Sequence, residues 1–161
     1  MSDRLAVGDL AVGDEAPDFS LPGDAGDTLT LASFAGKALV LYFYPKDDTA
    51  GCTQQALAFQ AQAAAFDKAG AAILGISPDS PASHAKFKAK HGLDLPLASD
   101  EAKTTLEAYG VWKEKSMYGR SYMGMERTTL LIGADGKIAR IWPKVKVKGH
   151  AEEVLAAAQA V

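Results

Sequence analysis

The chain has 161 residues, of which 48% are hydrophobic and 23% are charged, values close to those of ordinary globular domains. Seventeen lysines and arginines against twenty aspartates and glutamates give a formal net charge of −3, without the basic excess that is typical of nucleic-acid-binding proteins. This composition excludes an intrinsically disordered chain and predicts one domain over residues 1–161, with no nucleic-acid partner.

The N-terminal segment is rich in acidic residues and contains LAVGD twice in succession, at residues 5–9 and 10–14. We interpret residues 1–11 as an extended leader to the domain. The longest apolar run, residues 38–44, has seven residues, whereas a membrane-spanning helix requires about 20. No secretory signal is recognisable, so we expect a cytoplasmic protein without a membrane partner.

The first clearly predicted elements lie between residues 38 and 76. The run ALVLYFY, from Ala38 to Tyr44, predicts a strand that is buried on both faces and ends at Pro45. Residues 51–68 predict a helix with one apolar face, and residues 71–76 predict a second buried strand. The apolar face of that helix consists of Cys52, Ala56, Phe59, Ala63 and Phe66.

Two further helices are predicted by their terminal residues. Ser80 and Pro81 are typical of a helix start and Gly92 of a helix end. A shorter helix is predicted from a capping Asp100 to Gly110. Its inner face is predicted to hold Ala102, Leu106 and Tyr109.

The last predicted elements are a hairpin and a helix. Residues 128–132 and 138–142 predict two strands joined by an Asp-Gly turn. The final helix begins at His150, which we expect at the surface. Its inward side chains are predicted to be Ala151, Val154, Leu155 and Ala158.

This order of elements predicts an α/β fold, with a mixed central sheet and helices on both of its faces. A thioredoxin-like layout has the same order.

The chain contains one cysteine, Cys52, which excludes an internal disulfide, a Cys-x-x-Cys redox pair and a cysteine-based zinc site. Cys52 lies in the first turn of a predicted helix, where unpaired N–H groups and the helix dipole stabilise the nucleophilic thiolate. The alternative is an inert buried thiol, because free cysteines are among the most buried residues. The neighbouring residues decide between these two interpretations.

The residues from Pro45 to Cys52 follow the pattern Pro-x-x-x-Thr-x-x-Cys, directly after an apolar strand. In this setting the sequence resembles the peroxiredoxin family, and the run YFYPKDDTAGCTQQA (residues 42–56) is similar to its Q-type, or bacterioferritin comigratory protein, subfamily. The resemblance extends from about residue 12 to residue 158. Further matching segments are GDEAPDFSLP (13–22), GISPDSPASHAKF (75–87), LASDE (97–101), YGVW (109–112), ERTTLLIGADGKI (126–138) and WPKVKVKGHAEEVL (142–155).

The resemblance implies a thioredoxin fold and the thiol-dependent reduction of hydrogen peroxide and organic hydroperoxides. It implies that Cys52 is the peroxidatic cysteine, that Thr49 hydrogen-bonds the thiolate and the peroxide, and that Pro45 shields the site from water. Arg127, in the matching Glu-Arg-Thr-Thr segment, is implied to hold the thiolate and the peroxide. We expect no metal and no cofactor.

Elementary chemistry agrees with these implied roles, although each residue also has a plainer interpretation. Thr49 can cap the helix, and the guanidinium of Arg127 is permanently charged with several donors. On the plainer interpretation Thr49 is an ordinary cap, Pro45 ends a strand and Arg127 lies at the surface. Gln55, one turn after Cys52, supports the hydrogen bonds of the site or is simply solvated. Tyr44 is a further supporting candidate.

A second, resolving cysteine is missing. Many Q-type members carry it five residues after the first, at Leu57 here, and others carry it in the helix that corresponds to residues 81–91. The chain therefore resembles a one-cysteine peroxiredoxin, whose sulfenic acid must react with thioredoxin, glutaredoxin, a small thiol or Cys52 of a second subunit. We expect a monomer or weak homodimer, and sulfinic oxidation when thiol is scarce.

The alternative to an enzyme is a binding module. Such a module is either a thioredoxin-fold adaptor or a redox sensor whose cysteine is oxidised as a signal. His84 and His91 share a helix face without nearby carboxylate or cysteine ligands in the sequence, so packing or solvation is favoured over metal binding. Residues 117–125, rich in Met and Tyr, predict a substrate rim, a dimer patch or core packing.

Overall fold

The computed structural model describes residues 10–161, so the first LAVGD copy and nearly all of the predicted leader, residues 1–11, lie outside the described residues. The strands are β1 (Ser20–Pro22), β2 (Thr28–Thr30), β3 (Ala38–Phe43), β4 (Ala71–Ser77), β5 (Leu97–Ser99), β6 (Trp112–Met117), β7 (Arg120–Met125), β8 (Thr128–Ile132) and β9 (Ile138–Trp142). The helices are α1 (Ala50–Ala61), α2 (Ala63–Lys68), α3 (Pro81–His91), α4 (Thr104–Ala108) and α5 (His150–Ala160).

Strand β3 is the centre of a five-stranded mixed sheet with the order β5-β4-β3-β8-β9. It pairs in parallel with β4 and antiparallel with β8, and all six of its residues are buried. The sequence of such a strand is a continuous apolar run, because both of its faces are covered. The predicted mixed sheet and the β8–β9 hairpin are confirmed.

The two faces of the sheet carry separate apolar cores. Val40 and Tyr42 of β3 pack on one face, in a cluster to which α1, α2, α3 and α5 contribute buried side chains. Leu39, Leu41 and Phe43 point to the opposite face, where they pack with residues of α4 and of β1. The alternation follows from the period of two in a strand, and it confirms the prediction of helices on both faces.

The sheet brings three chain segments to one edge. Phe43, the last residue of β3, is paired with Ile76 near the end of β4 and with Thr128 at the start of β8. The loop after β3, the turn after β4 and the segment before β8 therefore meet there. Residues that are far apart in the sequence become neighbours at this edge.

Two predicted helices differ in their bounds. The helix predicted over residues 51–68 is interrupted at Gln62, which separates α1 from α2, and no proline or glycine in the sequence marks this break. The shorter helix begins at Thr104 rather than after a capping Asp100, because Lys103 adopts a left-handed conformation with φ of 65°. The Asp100 carboxylate nevertheless accepts a hydrogen bond from the Leu106 N–H at 2.7 Å.

The expected surface position of His150 is wrong. The residue is buried, its Nε2 lies 2.8 Å from Thr129 Oγ1, and its ring packs edge-on against Phe59 and Trp142. Burial, together with the positive charge of Arg127, lowers the pKa of His150 despite the opposing effect of Glu153. The first residue of α5 thus packs against the sheet.

Residues 117–125 lie in a separate two-stranded hairpin, β6–β7. Tyr118 is 97% exposed, and Tyr122 and Met123 are also exposed, whereas Met125 is buried. Core packing is therefore the wrong interpretation for the first three of these side chains. Among the described residues, no helix is long and apolar enough to cross a membrane.

Candidate active site

Cys52 lies in the first turn of α1, which begins at Ala50, one residue earlier than predicted. Its side chain is almost completely buried, with 1% of the residue exposed. The predicted helix start at the cysteine is therefore confirmed. The unpaired N–H groups of a first helical turn stabilise negative charge, so this position favours a thiolate.

Arg127, in the segment before β8, is the charged partner of this thiol. Its Nη2 donates a hydrogen bond to Cys52 Sγ at 3.2 Å, and its Nη1 donates to Gln55 Oε1 at 2.6 Å. A Cβ at Gly51 would lie 3.2 Å from Arg127 Nη2. A glycine before the cysteine therefore gives the guanidinium room to approach the helix start.

Gln55 faces the same way as Cys52, because residues three apart lie on one face of a helix. It is buried, with 1% exposed, and simple solvation is therefore the wrong interpretation. Its Oε1 holds Arg127, while its Nε2 has no hydrogen-bond partner within the described chain. An amide donor is thus available beside the sulfur and the guanidinium.

The loop between β3 and α1 carries Pro45 and Thr49, which are both exposed. Thr49 occupies the N-cap position of α1 but makes no side-chain capping bond. Instead its hydroxyl donates to the Lys46 carbonyl at 3.0 Å, closing the preceding turn. The side-chain cap predicted for Thr49 is therefore wrong, and no hydrogen bond among residues 10–161 joins Thr49 or Pro45 to Cys52.

Tyr44 binds the loop rather than the sulfur. Its hydroxyl donates to Asp47 Oδ1 at 2.6 Å. Burial, and then the neighbouring Tyr42 and Asp47, raise the pKa of Tyr44 well above its ordinary value. The hydroxyl stays protonated at neutral pH and remains a donor to the carboxylate.

Asp47 is the centre of a buried polar network at this edge of the sheet. Its Oδ2 lies 2.7 Å from His84 Nδ1 and accepts a hydrogen bond from the Ser83 hydroxyl at 2.8 Å. Burial alone would raise the pKa of Asp47, but the hydrogen bonds from His84 and Tyr44 outweigh burial and lower it. The carboxylate is therefore ionised, and it pairs with a histidine that is itself fully buried.

The same network contains the donor set that a metal ion would require. Ligand atoms of Asp47, Asp79 and His84 lie within 4.8 Å of one another, so the expectation that no carboxylate lies near His84 is wrong. Asp79 Oδ2 already accepts hydrogen bonds from the Asp47 N–H at 2.8 Å and the Ser77 hydroxyl at 2.7 Å. These groups satisfy one another by hydrogen bonding.

A buried hydroxyl close to the thiol was missed by reasoning from the sequence. Burial, and then the negative charges of Cys52 and Asp47, raise the pKa of Tyr42 far above its ordinary value despite the opposing charge of Arg127. Tyr42 stacks on Phe59 at 4.9 Å and lies over Gly75, where a Cβ would clash with its ring. In the sequence, the only signal for Tyr42 was its place in the alternation of β3, on the face that it shares with Val40.

A buried thiol in the first turn of a helix, paired with a guanidinium at the edge of a thioredoxin-like sheet, is the arrangement of an activated cysteine nucleophile. The chain belongs to the AhpC/TSA family, whose model matches residues 12–141. Within that family it is a peroxiredoxin, and several of its relatives are peroxiredoxins named Bcp.

Two relatives show the extent of the similarity. Peroxiredoxin Bcp of Xanthomonas campestris is 50% identical over 143 residues, which cover 89% of both chains. Peroxiredoxin Bcp of Bacillus subtilis is 47% identical over 146 residues, which cover 91% of this chain and 93% of the relative.

The solved structures agree with this assignment. The bacterioferritin comigratory protein of Xanthomonas campestris, studied for its alkyl peroxide reduction activity, has a TM-score of 0.85 and 48% identity to this chain. The alignment covers 88% of this chain and 90% of that one. Peroxiredoxin Q of the same organism was solved as serine variants of two different cysteines, whereas this chain has only Cys52.

Proposed function

We propose that this chain reduces hydrogen peroxide and organic hydroperoxides by a one-cysteine mechanism, through a sulfenic acid on Cys52 that an external thiol resolves. The observation that carries the proposal is the 3.2 Å hydrogen bond from Arg127 Nη2 to the buried Cys52 Sγ. The alkyl peroxide reduction activity of the Xanthomonas campestris protein supports organic hydroperoxides as substrates.

In the first step the Cys52 thiolate attacks one oxygen of the hydroperoxide. An S–O bond forms as the O–O bond breaks, and the leaving oxygen takes up a proton to become water or an alcohol. Negative charge develops on that oxygen, and a guanidinium already fixed beside the sulfur stabilises it without reorganisation. Arg127 therefore has two tasks, since it stabilises the thiolate before the reaction and the leaving oxygen during it.

The other candidate residues are proposed to position this pair. Gln55 fixes the orientation of Arg127 through the 2.6 Å hydrogen bond and offers its free Nε2 to a peroxide oxygen. Thr49 hydrogen-bonds the incoming peroxide, and Pro45 limits the entry of water because it has no N–H and a fixed φ. Tyr44 holds Asp47, and with it the loop that carries Thr49 and Pro45.

In the second step an external thiol attacks the sulfur of the sulfenic acid. A mixed disulfide forms and water leaves, and a second thiol then releases Cys52 as it forms a disulfide with the first. Thioredoxin, glutaredoxin or a low-molecular-weight thiol supplies the two electrons. Such thiols are kept reduced in the cytoplasm, which we propose as the compartment, and this mechanism needs no more than a monomer or weak homodimer.

The experiment that tests this function follows hydrogen peroxide consumption with dithiothreitol as the reductant. We expect sustained consumption of many equivalents of peroxide per protein, because an external thiol regenerates Cys52 after each turnover. Consumption that stops after one equivalent would contradict the proposal and would indicate a redox sensor instead.

A further inference from the structure

The loop before the catalytic helix is attached to the rest of the molecule mainly through α3. Within residues 10–161, every hydrogen bond or ion pair from residues 46–49 to a segment beyond the adjoining residues 44–53 runs to residues 79–91. Two consecutive aspartates, Asp47 and Asp48, make all of these contacts. The position of the loop therefore depends on α3.

The inner contact is a buried pair between Asp47 and His84. His84 Nδ1 lies 2.7 Å from the Asp47 carboxylate, and His84 Nε2 lies 3.0 Å from the Ala98 carbonyl. Both partners are hydrogen-bond acceptors, and they fix the imidazole ring of His84 from two sides. The inner contact therefore joins a buried carboxylate to a buried histidine ring whose two nitrogens both have partners.

The outer contact lies at the surface, two helical turns further along α3. Asp48 Oδ1 lies 2.8 Å from His91 Nε2, and Asp48 Oδ2 lies 2.7 Å from Lys90 Nζ. His84 and His91 are seven residues apart and so lie on the same face of the helix. Asp48 has a positive φ of 62°, which is a conformation that few residues other than Gly, Asn and Asp adopt readily.

The burial of Cys52 gives these contacts a consequence for the reaction. Hydrogen peroxide is small, whereas a thiol reductant must bring a sulfur atom in line with the S–O bond of a residue that is 1% exposed. The second step therefore requires more opening of the site than the first. The loop that directly precedes Cys52 is the segment that these tertiary contacts join to α3.

We propose that Asp47–His84 and Asp48–His91 form a double aspartate–histidine clamp, which fixes the peroxidatic loop to α3 and limits the access of the external thiol to the Cys52 sulfenic acid. The inference rests on the proposed function, since it concerns the second step of that reaction. His84 and His91 are positioning residues in this account and do not contact the reacting atoms. A weaker clamp opens the site more often.

The outer pair provides the test, because removing one partner of the buried inner pair endangers folding. Asp48→Asn keeps a residue that tolerates positive φ and removes the charge. We expect the rate constant for reduction of the sulfenic acid by dithiothreitol to rise roughly two- to fivefold, which is the scale of exposed ion pairs such as those of Asp48 with His91 and Lys90. The rate of sulfenic acid formation with hydrogen peroxide is expected to stay within about twofold of wild type.

His91→Gln should have an effect in the same direction but smaller, because Asp48 keeps its ion pair with Lys90. The double variant should add little to Asp48→Asn, because Asp48→Asn already removes the contact with His91. The matched control is Lys88→Gln, which removes an ion pair of the same helix with Asp24 at 3.0 Å rather than with the loop. We expect Lys88→Gln to react like wild type in both steps. Mass spectrometry after peroxide cycling should also show less sulfinic acid in Asp48→Asn, since the thiol competes better with the second peroxide.

Stopped-flow measurement of the two steps separates the possible results. Normal sulfenic acid formation with an unchanged or slower thiol step in Asp48→Asn would overturn the clamp while leaving the proposed function intact. An equal acceleration in Lys88→Gln would also overturn it, because a general charge effect would then be responsible. Failure of the unaltered protein to form a sulfenic acid would overturn the proposed function and the clamp with it.

Discussion

Replacing Cys52 with serine is expected to abolish thiol-dependent peroxide consumption, leaving only the uncatalysed reaction between dithiothreitol and hydrogen peroxide. A serine hydroxyl stays protonated at neutral pH, and it cannot form the S–O bond that begins the reaction. Since Cys52 is the sole cysteine of the chain, no other thiol can replace it. The measurement is peroxide loss over time at equal protein concentration.

The folded state of this variant is its necessary control. Serine differs from cysteine at one atom and has the same side-chain shape, so Cys52→Ser should keep the circular dichroism spectrum and a cooperative thermal transition. A folded serine variant that still consumes peroxide above background would show that the activity does not depend on Cys52.

Replacing Arg127 with alanine is expected to slow the reaction of Cys52 with hydrogen peroxide by about 100- to 1,000-fold, which is the typical cost of removing one preorganised donor from a developing oxyanion. The variant loses the hydrogen bond from Arg127 to Cys52 Sγ and the hydrogen bond from Arg127 to Gln55 Oε1. The second-order rate constant is measured by stopped flow with a single addition of peroxide.

Two further variants make the result for Arg127 specific. Arg127→Lys keeps a positive charge but loses the planar fork that reaches Cys52 and Gln55 together, so an intermediate rate is expected. Arg120→Ala removes an exposed arginine from β7 and should react at the wild-type rate. A rate constant for Arg127→Ala equal to that of Arg120→Ala would show that the assigned role is wrong.

The elements that could be predicted from the sequence are those with long or well-marked patterns. The apolar run of β3, the Ser80, Pro81 and Gly92 signals around α3, and the Asp-Gly turn before β9 all predicted their elements correctly. The three-residue strands β1, β2 and β5 were missed, because three residues are too few to show an alternating pattern. The break at Gln62 was missed because no proline or glycine marks it in the sequence.

For the site, the sequence predicted that Cys52, Gln55 and Arg127 lie together, but not how the surrounding loop is connected. The local pattern singled out Cys52 as a candidate, and the family resemblance singled out Arg127, which lies beside the sulfur although it is 75 residues away in the sequence. The contacts of Asp47 and Asp48 with α3 could not be predicted, because a single sequence does not show which carboxylate meets which histidine. The carboxylate beside His84 and the burial of His150 were missed for the same reason, since the partners of both residues come from distant elements.

Direct detection of the sulfenic acid tests the central claim most directly. The reduced protein is treated with one equivalent of hydrogen peroxide in the absence of thiol, trapped with a 1,3-diketone, digested and analysed by mass spectrometry. The account predicts a single diketone adduct on the peptide that contains Cys52, and none when dithiothreitol is added before the trap. Peroxide consumption without an adduct on Cys52, or an unmodified Cys52 after peroxide treatment, would contradict it.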